Sequence, residues 1–139
     1  MKALRALVVD DYETMRVRLR AELEKIGLVV EEAINGQEAL EMVHKSSYDI
    51  IFTDVVMPEM DGFELCEELR KSENFNSVHI VVVSTHHDTA YIIKALRLGA
   101  DDYLPKPFEP SLLRNVVARV TAPLLWDGGE KNDSQQSAA

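Results

Sequence analysis

Five times along this chain a short apolar run is followed by a longer amphipathic segment, and this alternation limits the possible folds more than any other feature. Leu4 to Val9, Val29 to Ile34, Ile50 to Thr53, Val78 to Val83 and Tyr103 to Leu104 read as strands, mostly apolar on both faces, as strands buried inside a parallel sheet are. Helical spacing fills the intervals. Met15, Leu19, Leu23 and Ile26 line one face of a first helix that meets Gly27, a natural C-terminal stop. Asn35-Gly36 opens a second helix through about Val43, Asp61-Gly62 a third through about Leu69, and Asp88-Thr89 a fourth ending at Gly99. Pro110-Ser111 opens the fifth, whose Leu112, Leu113, Val116, Val117 and Val120 supply an apolar face.

Repeated strand–helix units with right-handed crossovers and helices on both faces give an α/β fold, a doubly wound parallel sheet of five strands with five helices. The simplest arrangement is the flavodoxin-like order 2-1-3-4-5. It leaves the fifth strand at an edge, where Pro105, which cannot donate a ladder hydrogen bond, is tolerated. From Ala122 the periodicity dissolves into Asp127-Gly128-Gly129 and a Ser/Gln/Asp-rich end, so residues 122–139, Trp126 among them, read as a flexible polar tail after a domain of residues 1–121.

Composition removes several classes of function. Fifteen Lys and Arg against 24 Asp and Glu give a formal charge of −9, which repels nucleic-acid phosphates and anionic membrane surfaces, so direct nucleic-acid binding is not expected. The apolar stretch at the N-terminus meets Asp10 and Asp11 too early for a signal peptide, and no run approaches the roughly 20 apolar residues of a membrane span, so no membrane insertion and a cytoplasmic protein are expected. The single cysteine, Cys66, has no internal disulfide partner and reads as a reduced, half-buried thiol on the third helix.

In a sheet of this order ligands bind beyond the carboxyl ends of the strands, where the order reverses between the first and third. Asp10 and Asp11 end the first strand and Asp54 the third. Two carboxylates about 4 Å apart repel by about 4 kcal/mol at an effective dielectric of 20, so either a carboxyl with a raised, coupled pKa or a bound hard cation is needed. An oxygen-only site at an open loop edge suits Mg²⁺. Ser84 ends the fourth strand and Lys106 follows the fifth, bringing a hydroxyl and an ammonium to the same rim. A carboxylate nucleophile, a cation, a lysine and a hydroxyl are the parts that bind and transfer a phosphoryl group in line.

Three motifs in order carry a resemblance over residues 4 to about 120: Val8-Val9-Asp10-Asp11, then Asp54-Val55-Val56-Met57-Pro58-Glu59-Met60-Asp61-Gly62, then Gly99-Ala100-Asp101-Asp102-Tyr103-Leu104-Pro105-Lys106-Pro107-Phe108. In these the chain resembles the response-regulator receiver domains of two-component signalling, and Met15 and Arg16 behind Asp10-Asp11-Tyr12 resemble the stand-alone chemotaxis type. The resemblance implies a receiver domain over residues 1–121 that is phosphorylated on Asp54. It implies that Asp11, Asp54 and the Val56 carbonyl ligate Mg²⁺, that Asp10 supports the metal largely through water, and that Lys106 and Ser84 contact the phosphoryl group. It makes Lys106-Pro107 a cis peptide. Ser84 and Tyr103 become a switch pair that remodels the face of the fourth helix, fifth strand and fifth helix, with Tyr91, Ile92 and Lys94 on it. The implied partners are a histidine kinase or histidine phosphotransfer protein as phosphodonor and an output protein on that face.

Two residues depart from the common family pattern: Val56 is apolar where many receivers are polar, and Thr85 is bulkier than the usual small residue. His86 and His87 follow in what reads as a solvated loop, with assistance to phosphoryl chemistry or pH sensitivity as the alternative. Aspartate-nucleophile phosphatases share the fold and the metal, but they place a general acid two residues after the nucleophile, where this chain has Val56, and they carry a cap domain. Flavin binding is disfavoured because Asp10-Asp11 would repel the flavin phosphate. The polar tail favours a complete single-domain regulator over a receiver joined to an output domain, although a linker would look similar.

Overall fold

A computed structural model describes residues 3–75, 77–86 and 88–125, with the side chains of 123–125 left aside. His87 and residues 126–139, Trp126 among them, lie outside the described residues. The elements run β1 (Arg5–Val9), α1 (Glu13–Ile26), β2 (Val29–Ala33), α2 (Gly36–Lys45), β3 (Ile50–Thr53), α3 (Gly62–Lys71), β4 (His79–Ser84), α4 (Thr89–Arg97), β5 (Asp102–Pro105) and α5 (Pro110–Leu125). All the strand pairs are parallel and the order is β2-β1-β3-β4-β5, as the alternation of segments predicts.

Alternate residues of each buried strand serve opposite faces. Ala6, Val8, Ile50, Phe52, Val81 and Val83 pack under α1 and α5 through Leu19, Leu23, Leu113, Val116 and Val117. Leu7, Val9, Ile51, Ile80 and Val82 pack under α2, α3 and α4 through Ala39, Val43, Leu65, Cys66, Leu69 and Ala95. Two cores, one on each face, leave the strand ends as the place where polar residues gather without opening either core.

Helix starts are set locally. Asn35 accepts the Glu38 N–H at 2.8 Å, Asp88 caps α4 through the Tyr91 N–H, and Asp61 and Glu64 form a reciprocal capping box. Gly27 ends α1 at φ 109°, the left-handed region that a glycine enters without strain.

Boundaries shift where periodicity is silent. β2 stops at Ala33 and leaves Ile34 exposed, while β4 starts at His79 and includes Ser84, because its ladder to β5 pairs Ser84 with Pro105. α5 runs through Leu125, past Ala122 where the apolar spacing stops, since its backbone hydrogen bonds need no buried face.

Cys66 is fully buried rather than half-buried, and burial pushes its thiol up to about 12. It should be inert: a thiol reagent such as iodoacetamide is expected to modify it only after unfolding, and labelling of the native protein at the unfolding-independent rate of a free thiol would contradict that placement.

Candidate functional site at the carboxyl edge of the sheet

The ladder continues one step beyond the strands and positions the charged residues. The Asp10 N–H donates to the Ala33 carbonyl at 3.1 Å, the Asp54 N–H to the Val9 carbonyl at 2.9 Å, and the Lys106 N–H to the Ser84 carbonyl at 2.9 Å. Asp10, Asp54, Ser84 and Lys106 are thereby brought to one rim, as the sequence predicts. The Lys106–Pro107 peptide is cis.

Lys106 is 7% exposed, and its Nζ lies 2.8 Å from Asp10 Oδ2 and 3.4 Å from Asp54 Oδ1. Asp10, itself buried, also accepts the Tyr12 N–H on Oδ1 at 2.9 Å, so both of its oxygens are engaged. Asp54 accepts the Val55 N–H on Oδ1 at 2.8 Å. Burial pushes its carboxyl above the usual carboxylate range, against the pull of Lys106, and Asp10 adds to the rise. Asp11 is exposed, and none of the described hydrogen bonds reaches its carboxylate.

One oxygen from each of Asp10, Asp11 and Asp54 can be chosen so that all lie within 4.8 Å of one another. Three carboxylates gather where Lys106 pairs with Asp10 and Asp54, an all-oxygen set whose charge suits a small divalent cation. With Asp10 already engaged, Asp11 and Asp54 are the carboxylates left to hold it. The Val56 side chain is 60% exposed at the same rim.

The switch candidates also meet, through His86, a residue that the sequence places in a loop. Ser84, buried, accepts the His86 N–H on Oγ at 3.0 Å, and the half-buried Tyr103 hydroxyl donates to the His86 carbonyl. The exposed His86 ring stacks on Tyr91 of α4, with centroids 4.4 Å apart and planes 12° from parallel. Tyr91 in turn contacts Phe63, over which Lys94 Nζ sits at 4.6 Å. A chain of contacts thus links the Ser84 end of the rim to α4. Tyr91, Ile92 and Lys94 are all at least partly exposed, as are Ile93 and Leu96.

Gly62 and Gly36 do more than open helices. A Cβ on Gly62 would stand 2.1 Å from the Asp54 carbonyl oxygen, and one on Gly36 would stand 2.6 Å from the Met60 carbonyl oxygen. The Gly62 N–H donates to the Val55 carbonyl at 2.8 Å, so α3 begins directly against the chain that carries Asp54. Gly62→Ala is expected to cost ~3 kcal/mol and to lower Tm by roughly 10 °C, as backbone rather than side chain must move. Calorimetry checks this; an unchanged Tm would contradict the close approach.

The model of the response regulator receiver domain family matches residues 6–118. The chain belongs to that family. Response regulator MprA of Mycobacterium leprae is 40% identical over 136 residues, 98% of this chain and 57% of the relative. A probable transcriptional regulator, ycf27 of Guillardia theta, is 39% identical over 120 residues, 86% of this chain and 45% of the relative. The receiver thus spans about half the length of these curated relatives. Among solved structures, a putative response regulator from Chloroflexus aurantiacus superposes with a TM-score of 0.84 at 34% identity, covering 87% of this chain and 99% of that one. Chemotaxis protein CheY4 of Vibrio cholerae gives 0.81 at 32% identity over 86% of this chain and 99% of its own. The receiver is a signalling domain of two-component systems, with the five-stranded fold described above. Among the described residues no helix is long and apolar enough to cross a membrane.

Proposed function

We propose that this receiver takes a phosphoryl group onto Asp54 from a phosphohistidine of a histidine kinase or phosphotransfer protein. The observation that carries the reading is the convergence of Asp10, Asp11, Asp54, Ser84 and Lys106 on one rim, with Lys106 already between two of the carboxylates. In the transfer an Asp54 oxygen attacks phosphorus, the P–N bond breaks, and the imidazole leaves with the electron pair. Asp11, Asp54 and the Val56 carbonyl would hold Mg²⁺, with Asp10 supporting it through water, and the ion would supply charge neutralisation to the phosphoryl oxygens. Lys106 leaves its carboxylate partners for a phosphoryl oxygen, and the Ser84 hydroxyl donates to another.

Those contacts draw Ser84 toward the phosphoryl group and release its bond to the His86 N–H, and Tyr103, tied to the same residue, follows. The α4–β5–α5 face is then the surface read by an output protein. Residues 1–121 form the switching unit, its last helix continuing through Leu125. The charge of −9 argues against direct contact with nucleic acid, and a cytoplasmic location follows from the phosphodonor.

The test is loading with a small acyl phosphate, followed by intact-protein mass spectrometry. One added phosphoryl group is expected with Mg²⁺ and none with a chelator; uptake indifferent to Mg²⁺ would overturn the reading.

The same site removes the group when water attacks in line opposite the Asp54 oxygen. Val56 offers that water no hydrogen bond, and the exposed Thr85 is branched. One hydrogen bond worth about 1–1.5 kcal/mol changes a rate about tenfold, so Val56→Asn is expected to shorten the phosphorylated state about tenfold. First-order phosphate loss from the two proteins decides it, and equal rates would remove Val56 from the account.

A further inference from the structure

The Asp11 carboxylate is one of the two carboxylates proposed to hold the cation directly, yet it is exposed and no described hydrogen bond orients it. What fixes it must therefore act through its backbone. Asp10 is held at its N–H by Ala33 and at both carboxylate oxygens by Tyr12 and Lys106. Its carbonyl, the near end of the peptide plane from which Asp11 projects, accepts from Arg16 Nη1 at 2.9 Å. The guanidinium does not wander: its Nε donates to Glu32 Oε1 at 2.7 Å, and the Arg16 side chain is only 12% exposed. Glu32 Oε2 is held in turn by Arg20 Nη1 at 2.9 Å. These contacts hold the Glu32 carboxyl below the usual carboxylate range, Arg20 first. An arginine is suited to this position because one planar fork spans a carbonyl and a carboxylate at once, which an ammonium at the end of a flexible stem does not reproduce.

We infer that Arg16 is a positioning residue for the cation site: buttressed by Glu32, it clamps the Asp10 carbonyl and so fixes the peptide plane that aims Asp11 at the metal. This rests on the Mg²⁺ reading above. Electrostatics alone makes the opposite claim, since removing a cation beside three carboxylates should tighten Mg²⁺ binding. Loss of a residue that orients a ligand typically weakens metal binding tenfold to a hundredfold, so the sign of the effect separates the two.

The experiment is calorimetric titration of the unphosphorylated full chain with Mg²⁺, alongside Tm in a chelator. Arg16→Gln, which is neutral, and Arg16→Lys, which keeps the charge, are both expected to weaken Mg²⁺ binding about tenfold. Glu32→Gln should weaken it in the same direction by loosening the guanidinium, while Lys25→Gln, which removes a cation of α1 paired with Glu22 outside this network, should bind as the unmutated chain does. Lower Tm in chelator with unchanged or tighter Mg²⁺ binding would mean a merely structural arginine and would overturn the inference. Absence of Mg²⁺ binding by the unmutated chain would instead overturn the metal reading on which it stands.

Discussion

Asp54→Asn is expected to end phosphoryl uptake. The amide is not a nucleophile at neutral pH, and no neighbour replaces it: both Asp10 oxygens are engaged by Tyr12 and Lys106, and the Asp11 carboxylate stands exposed, outside the described hydrogen bonds. The same variant should be more stable than the unmutated chain in the absence of Mg²⁺. A carboxyl whose folded-state pKa is raised, as burial raises Asp54, stabilises the fold while protonated; that contribution is lost as pH rises through the folded value. At neutral pH the ionised Asp54 is thus a strain on the metal-free site, and removing it should raise Tm by a few °C, an effect that fades below about pH 4 as both states become protonated. Mass spectrometry and a pH series of melting curves in chelator check the two halves. Residual uptake would move the acceptor elsewhere, and a lower Tm would contradict the charge account.

Lys106→Ala is expected to separate phosphorylation from switching. Asp54, the metal and a donor remain, so the chain should still take up phosphate, more slowly. What is lost is the charge that follows the phosphoryl group away from Asp10 and Asp54. Driving a two-state element from 1:99 to 99:1 requires about 5.5 kcal/mol of differential stabilisation, and a charge-assisted hydrogen bond to a dianionic group is a large share of it. The phosphorylated variant should therefore keep the amide spectrum of the unphosphorylated chain at α4 and β5, around Tyr91 and Tyr103. Removing one partner of a buried ion pair also costs about 3–5 kcal/mol, so Lys106→Met, which refills the volume, is the companion if the alanine variant unfolds. Full propagation of the spectral change in either variant would contradict the mechanism.

Most of the fold and the rim could be read from residues alone because both depend on short-range pattern. Buried parallel strands announce themselves as apolar runs, and Asp10, Asp54, Ser84 and Lys106 each follow or end such a run, so strand order alone places them together. The features that escaped depend on distances across the chain. Gly62 reads as a helix opener beside Asp61, yet the need for glycine lies in the Asp54 carbonyl oxygen, which only the packing of α3 on β3 brings close. Arg16 lies on the apolar-patterned first helix and gives no sign that it reaches the Asp10 carbonyl and Glu32 of β2 together. His86 reads as a loop residue because its neighbours are polar, and the stacking on Tyr91 depends on where α4 is laid down. Full burial of Cys66 follows from its place among Leu65, Leu69 and Ala95 under the sheet, which spacing along one helix underestimates.

The central claim is that Asp54 carries the phosphoryl group, and direct mapping tests it most plainly. The unmutated chain is phosphorylated in Mg²⁺, the acyl phosphate is reduced with borohydride, and the peptides are sequenced by mass spectrometry. The account predicts the reduced residue at position 54 and at no other carboxylate; modification at Asp10 or Asp11, or a phosphoryl group on a histidine with Asp54 intact, would contradict it.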